Sequence, residues 1–179
     1  MSIDLRPSWM NEELDLFRDN VARFLDHEVA PQDEAARKQG HVGHAIWRRA
    51  GELGLLCVDV PEEFGGGGGD FRHEALFDDQ MARRGLTGMA TSVHSIVAQY
   101  FVHHGTPEQR QTYLPKLASG ELVGAIAMTE PGGGSDLQGI RTRAERRGDV
   151  YVINGAKTFI TNGYLAGLVL LVAKTDPQQ

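Results

Sequence analysis

Two short stretches hold the residues best suited to binding chemistry: Met128-Thr129-Glu130-Pro131-Gly132-Gly133-Gly134-Ser135-Asp136 and Asn154-Gly155-Ala156-Lys157-Thr158-Phe159-Ile160-Thr161-Asn162-Gly163. Thr129 and Thr161 are small, stiff hydroxyl residues that can offer a side-chain O–H and a backbone N–H in fixed directions. Phe159 adds a flat apolar face. Gly132 to Gly134 let a backbone come close to a bound group, or make a plain turn. Glu130 and Asp136 flank that loop and read as acceptors that brace it, ahead of catalytic bases.

Other polar residues carry weaker signals. His103 and His104 are adjacent, so on a helix they point about 100° apart and cannot share a metal by local spacing. His41 and His44 could meet across one turn, but without a third ligand in sequence no metal site is expected. Gly65 to Gly69 is a run of five glycines. A phosphate cradle would end in Gly-Lys-Ser/Thr, whereas this run ends in Asp70-Phe71, so it reads as a flexible surface loop. The single cysteine, Cys57, excludes an internal disulfide and fits a reducing compartment.

The elements that must position these residues fall into two halves. Leu14, Phe17, Val21, Phe24 and Leu25 mark the stripe of a helix capped by Ser8 and ended by Pro31. Ile46, Trp47, Ala50 and Leu53 mark a second helix from about His44 to Leu53, with Gly54 as its cap and Gly51 as a weak point. Asp70 can start another. Val93, Ile96, Val97, Tyr100 and Phe101 give the clearest helical stripe, closed by Gly105. Thr106-Pro107-Glu108-Gln109 combines a cap, a proline at the first helical position and a capping-box glutamine, opening a helix through Tyr113 and Leu117. From Leu122 the period shortens. Val123 to Met128, Gly139 to Ala144, Val150 to Ile153, Thr158 to Thr161 and Leu168 to Ala173 read as short strands of an antiparallel region. Helices grouped before strands predict an α+β chain: an all-helical N-terminal domain over 1–121, then an incomplete antiparallel β-domain over 122–179 with unpaired edges.

Composition narrows the function. The 179 residues are 41% hydrophobic and carry a formal net charge of -6, enough for a core and unsuited to nucleic acid. The basic cluster Arg141 to Arg147, interrupted by Glu145, reads as a solvated strand and turn. The residues from Met1 to Arg6 lack a secretory apolar stretch, and Leu165 to Ala173 is too short to span a bilayer. The cytoplasm is the default expectation.

The two stretches resemble the flavin- and acyl-CoA-binding signature of the acyl-CoA dehydrogenases. The likeness extends to Gly54-Leu55-Leu56, Pro61-Glu62-Glu63-Phe64-Gly65, His94-Ser95-Ile96 and Gly105-Thr106-Pro107-Glu108-Gln109, which look like that family's N-terminal helical domain. Ala127-Met128-Thr129-Glu130-Pro131 and Asp149-Val150-Tyr151-Val152-Ile153-Asn154-Gly155 look like the start of its middle β-domain. The resemblance implies FAD as cofactor, with Ile126, Met128, Thr129 and Ser135 on a first flavin-contacting segment and Phe159, Ile160 and Thr161 on a second. Ser135 would also meet the acyl-CoA substrate. Several family members carry Trp at the position of Phe159 and Tyr at that of Ile126; both changes keep an apolar contact.

The implied reaction is desaturation of a fatty acyl thioester to a trans-2-enoyl-CoA. A glutamate removes the α-proton, the β-hydrogen leaves as hydride to the flavin, and electrons pass to an electron-transferring flavoprotein. In the family that glutamate lies in a C-terminal helical domain, so no catalytic base is expected before Gln179. A homodimer or homotetramer is implied for the full-length protein. Ala-Met-Thr-Glu-Pro with Ser-Asp-Leu-Gln-Gly-Ile looks most like long-chain members, and Ala98 could leave room for a tail. An acyl-CoA oxidase of the same superfamily, or a non-catalytic domain that binds acyl-CoA or a partner, is the alternative.

Overall fold

The computed structural model describes residues 6–176. It begins with α1 (Glu12–Phe24), α2 (Asp33–Gln39), α3 (His44–Glu52), α4 (Phe71–Arg83), α5 (Thr91–His104) and α6 (Pro107–Ala118). Four strands follow: β1 (Gly124–Ala127), β2 (Arg143–Arg147), β3 (Val150–Asn154) and β4 (Leu168–Leu171). The expected α+β order is present.

Local caps explain most helix starts. Asp70 opens α4 by accepting from the Arg72 N–H at 2.9 Å, while His73 Nδ1 accepts from the Asp70 N–H. Thr106 and Gln109 exchange their bonds as the sequence predicts, at 3.2 and 2.9 Å. The first cap differs from expectation. Asn11, in extended geometry, caps α1 by accepting from the Leu14 N–H, and Ser8 lies in the turn before it.

Pro31 does not end the first helical stretch. A π turn over Leu25–Val29 and a 3-10 turn over Ala30–Gln32 carry the chain into α2. A proline near the start of a helical turn needs no N–H donor there, and the π turn re-aims the chain so that Leu25 and Val29 both stay buried. Leu53, expected inward, is exposed just past the end of α3. Gly51 is a close contact and no weak point: a Cβ there would lie 2.2 Å from the Ser119 carbonyl carbon and oxygen. The glycine run is also tighter than a loose loop. Gly68 and Gly69 donate to the carbonyls of Val60 and Val58 at 3.0 and 2.7 Å. A side chain on Gly66 would meet the Val60 carbonyl at 2.1 Å.

Two apolar clusters form the core. One gathers Val21, Phe24, Trp47, Phe77 and Met81 from α1, α3 and α4. The other packs Val97, Ala98 and Phe101 of α5 against Leu114 and Leu117 of α6, with Ile126, Leu168 and Leu170 of the strands laid against it. On α5 the buried face runs through His94, Val97, Ala98 and Phe101. Ile96 and Tyr100, expected on that stripe, are 47% and 50% exposed. Both phases have helical spacing, and contact with α6 and β1 selects the one with small Ala98 inside.

The strand region departs furthest from expectation. β2 and β3 form an antiparallel hairpin, but β1 and β4 pair in parallel, Gly124 with Leu168 through Ala127 with Leu171. Gly139 to Ala144 is strand only from Arg143 on, because Asp136 accepts from the Gln138 and Gly139 N–H groups and folds Leu137–Gly139 into a 3-10 turn. Thr158 to Thr161 is irregular, since Phe159 (φ 54°) and Asn162 (φ 63°) leave extended backbone. Arg143, Arg146 and Arg147 are exposed on the hairpin, as a solvated surface requires. Val150, Tyr151 and Ile153 of β3 and Val169 and Leu171 of β4 also stand exposed. Among the described residues no helix is long and apolar enough to cross a membrane.

Candidate functional site

β1 is held by a buried histidine. His94 Nε2–H donates to the Leu117 carbonyl and its Nδ1 accepts from the Gly124 N–H, both at 3.0 Å. One neutral ring thereby joins α5, α6 and the start of β1. Burial against Trp47 lowers its pKa to about 4, which keeps Nδ1 free to accept.

β1 leads through half-buried Ile126 to Met128 and Thr129, both half-buried at its end. Glu130 then turns back: its N–H donates to the Gly133 carbonyl, and the Gly133 N–H donates to the Glu130 carbonyl. The glycine loop folds against the strand end, so that a Cβ on Gly134 would lie 3.7 Å from Thr129 Cγ2. Ser135 follows, exposed, with no hydrogen bond to the other expected site residues among those described.

The Glu130 carboxylate is a hub. It accepts from the Arg141 N–H at 2.6 Å, the Thr142 N–H at 2.9 Å, the Thr142 hydroxyl at 2.6 Å and Lys157 Nζ at 2.9 Å. Glu130 and the Lys157 side chain are each 8% exposed. The Thr142 hydroxyl first, then the Lys157 ammonium, hold the carboxyl well below the ordinary carboxylate range. A carboxylate with four donors has no call for a proton at neutral pH, so Glu130 braces the loop and is no general base. Asp136 likewise caps its turn.

The second segment lies alongside the first. Lys157 Nζ also donates to the Met128 carbonyl at 2.8 Å, and the Thr158 N–H donates to the Thr129 carbonyl at 3.0 Å. Phe159 then projects outward, 91% exposed. Ile160 is half-buried and Thr161 exposed. Asn162 ends the stretch by donating to the Ala90 and Gly124 carbonyls at 3.0 and 3.2 Å. Behind it, a cavity of about 220 Å³ opens between Gly88, Ala90, Ile160, Thr161 and Tyr164, with His41 stacked on Tyr164 at 4.7 Å.

Ile126, Met128 and Thr129 are thus brought beside the stretch that carries Phe159, Ile160 and Thr161. Ser135 joins only through the loop backbone. Sequence reasoning assigned no role to Lys157, Asn162 or His94. A signal was present for the first: Lys157 is the single charge between Asp149 and Lys174, as Glu130 is between Glu121 and Asp136. Two lone opposite charges in apolar surroundings call for each other.

The chain matches the family models described as "Acyl-CoA dehydrogenase, N-terminal domain" over residues 11–121 and "Acyl-CoA dehydrogenase, middle domain" over 125–179. It is 45% identical over 167 residues to the long-chain specific acyl-CoA dehydrogenase of Rattus norvegicus, covering 93% of this chain and 39% of that protein. The solved acyl-CoA dehydrogenase from Geobacillus kaustophilus superposes with a TM-score of 0.93 at 40% identity, covering 97% of this chain and 46% of the other. An acyl-CoA dehydrogenase complexed with FAD from Bacillus anthracis superposes with a TM-score of 0.80 at 33% identity, covering 95% of this chain and 30% of the other. The chain therefore spans about four tenths of the length of the curated relative it matches.

Proposed function

The chain belongs to the acyl-CoA dehydrogenase family, and from that premise we propose that it supplies part of an FAD site for α,β-dehydrogenation of a fatty acyl-CoA thioester. The observation that carries this reading is the pairing of Thr129 with Thr158, which brings two hydroxyl-bearing segments and an outward phenyl ring together. A large apolar ring that is 91% exposed on left-handed backbone invites a flat partner. The hydroxyls and the half-buried Ile126, Met128 and Ile160 of the two adjoining segments suit a planar heteroaromatic with polar edges. These residues fit the flavin.

In this reading Ile126, Met128 and Ile160 pack the ring system, Thr129 and Thr161 donate to its edge, and Phe159 covers a face. Ser135 contacts both cofactor and acyl-CoA. FAD, when bound, accepts the β-hydrogen as hydride. The chain's own part is to orient the two reactants and exclude water. No base is assigned here, because Glu130 is fully engaged. The reading extends to a helical unit over 1–121 and a β unit over 122–179, to a long-chain acyl substrate, to transfer of electrons to an electron-transferring flavoprotein, and to a homodimer or homotetramer in the cytoplasm.

Visible absorbance of the purified full-length protein, followed by anaerobic bleaching with acyl-CoAs of graded length, tests the proposal. A flavin spectrum that bleaches with long-chain acyl-CoA supports it; a colourless protein that takes up no added FAD contradicts it. Hydrogen peroxide formed in step with substrate would favour the oxidase alternative.

A further inference from the structure

Phe159, Ile160 and Thr161 lie on backbone that belongs to no helix or strand, with left-handed geometry at Phe159 and again at Asn162. Such a stretch keeps one shape only when its surroundings fix it from more than one side. Both ends of this one are tied. At the front, Lys157 Nζ donates to the Met128 carbonyl and Glu130 Oε1. At the back, the Asn162 side-chain amide donates to the Gly124 and Ala90 carbonyls. The strand-side carbonyls are Gly124 and Met128, which bracket Ile126. The irregular strap is therefore measured off at two points, the start of β1 and the residue just past its end, with the Thr158 to Thr129 bond beside the second.

We infer that Lys157 and Asn162 are positioning residues of the flavin site, holding the Phe159–Thr161 strap as a preformed ledge opposite Ile126 and Thr129. The inference rests on the FAD reading above and adds to it two residues that would not themselves contact the ring. Burying an ammonium beside a carboxylate contributes little net stability compared with apolar packing. What it does give is a fixed distance: Lys157 needs both acceptors at once, so the Met128 carbonyl and the Glu130 carboxylate set where Thr158 starts. Asn162 suits the other end, because asparagine tolerates left-handed backbone and its amide offers two hydrogens to two carbonyls. Preorganisation of this kind spares the cofactor the cost of ordering its own seat.

The test compares Lys157→Met, Asn162→Gly and the core control Val21→Ala in the full-length protein. Asn162→Gly removes the amide yet accepts the positive φ, so the fold survives it. FAD affinity is titrated by fluorescence quenching, the bound flavin's visible spectrum is recorded, and melting is followed without cofactor. Each positioning variant is expected to weaken FAD binding about tenfold or more, the worth of one lost charge-assisted or buried hydrogen bond, and to alter the bound spectrum. Val21→Ala lowers the melting temperature with FAD affinity unchanged. Wild-type affinity and spectrum in Asn162→Gly would overturn the inference while leaving the FAD reading intact, and that variant decides alone if Lys157→Met does not fold. Failure of the wild-type protein to take up FAD would sink both.

Discussion

Replacing Glu130 by alanine removes the acceptor on which two separate stretches, 141–142 and Lys157, converge. The Arg141 N–H, the Thr142 N–H, the Thr142 hydroxyl and the Lys157 ammonium all lose a partner within 2.9 Å. Lys157, with its side chain only 8% exposed, is then left as a buried charge held by the Met128 carbonyl. Breaking a buried pair from one side costs about 3–5 kcal/mol. For a chain of this size each kcal/mol lowers the melting temperature by about 2–4 °C, so a fall of about 6–20 °C is expected. Urea unfolding with the slope held to that of wild type gives the free energy directly. Lys157→Met in the same background should recover part of the loss, because the double variant buries no orphaned charge. A cost below about 1 kcal/mol, the level of an exposed ion pair, would refute the hub.

Three further predictions follow from buried groups. His94 is held neutral with its pKa at about 4, against about 6.5 in the unfolded chain, so the unfolded state takes up the proton first as pH falls. Stability should therefore decline from pH 6.5 down to about 4, by up to about 3 kcal/mol at about 1.4 kcal/mol per pH unit; an equal slope in His94→Gln would contradict this. Gly51→Ala should destabilise by about 2 kcal/mol or more, since the added methyl would overlap the Ser119 carbonyl at 2.2 Å; an unchanged denaturation midpoint would show that α3 and the end of α6 do not touch. Cys57 is buried with its thiol pKa pushed up by desolvation, so a thiol reagent should react only at the rate of unfolding; immediate titration of one thiol in native buffer would count against the packing around it.

Features fixed by a few neighbouring residues were legible in the sequence. The Thr106 to Gln109 capping box and the Asp70 cap lie within one helical turn, and both form as read. Features decided by distant partners were not. Pro31 looks like a stop until the π turn before it is seen, and the phase of α5 depends on α6 and β1, which the spacing of Val93, Ile96 and Tyr100 cannot report. Parallel pairing of β1 with β4 joins residues over forty positions apart, so no turn chemistry announces it. Within the candidate site, the motif marked two segments that lie side by side, whereas the left-handed backbone at Phe159 and the anchoring by Asn162 arise from tertiary contacts. The Glu130–Lys157 pair shows in the sequence as two isolated opposite charges.

In the proposed site Phe159 and the Thr129 strand end face one flavin. Phe159→Trp places an emitter on the exposed ledge, distinguishable from Trp9 and Trp47 by difference against wild type. With both segments against the ring, titration with FAD extinguishes the added emission almost completely while the protein gains a structured visible spectrum. If FAD binds and the emission at position 159 persists at its cofactor-free intensity, the two segments do not share a flavin.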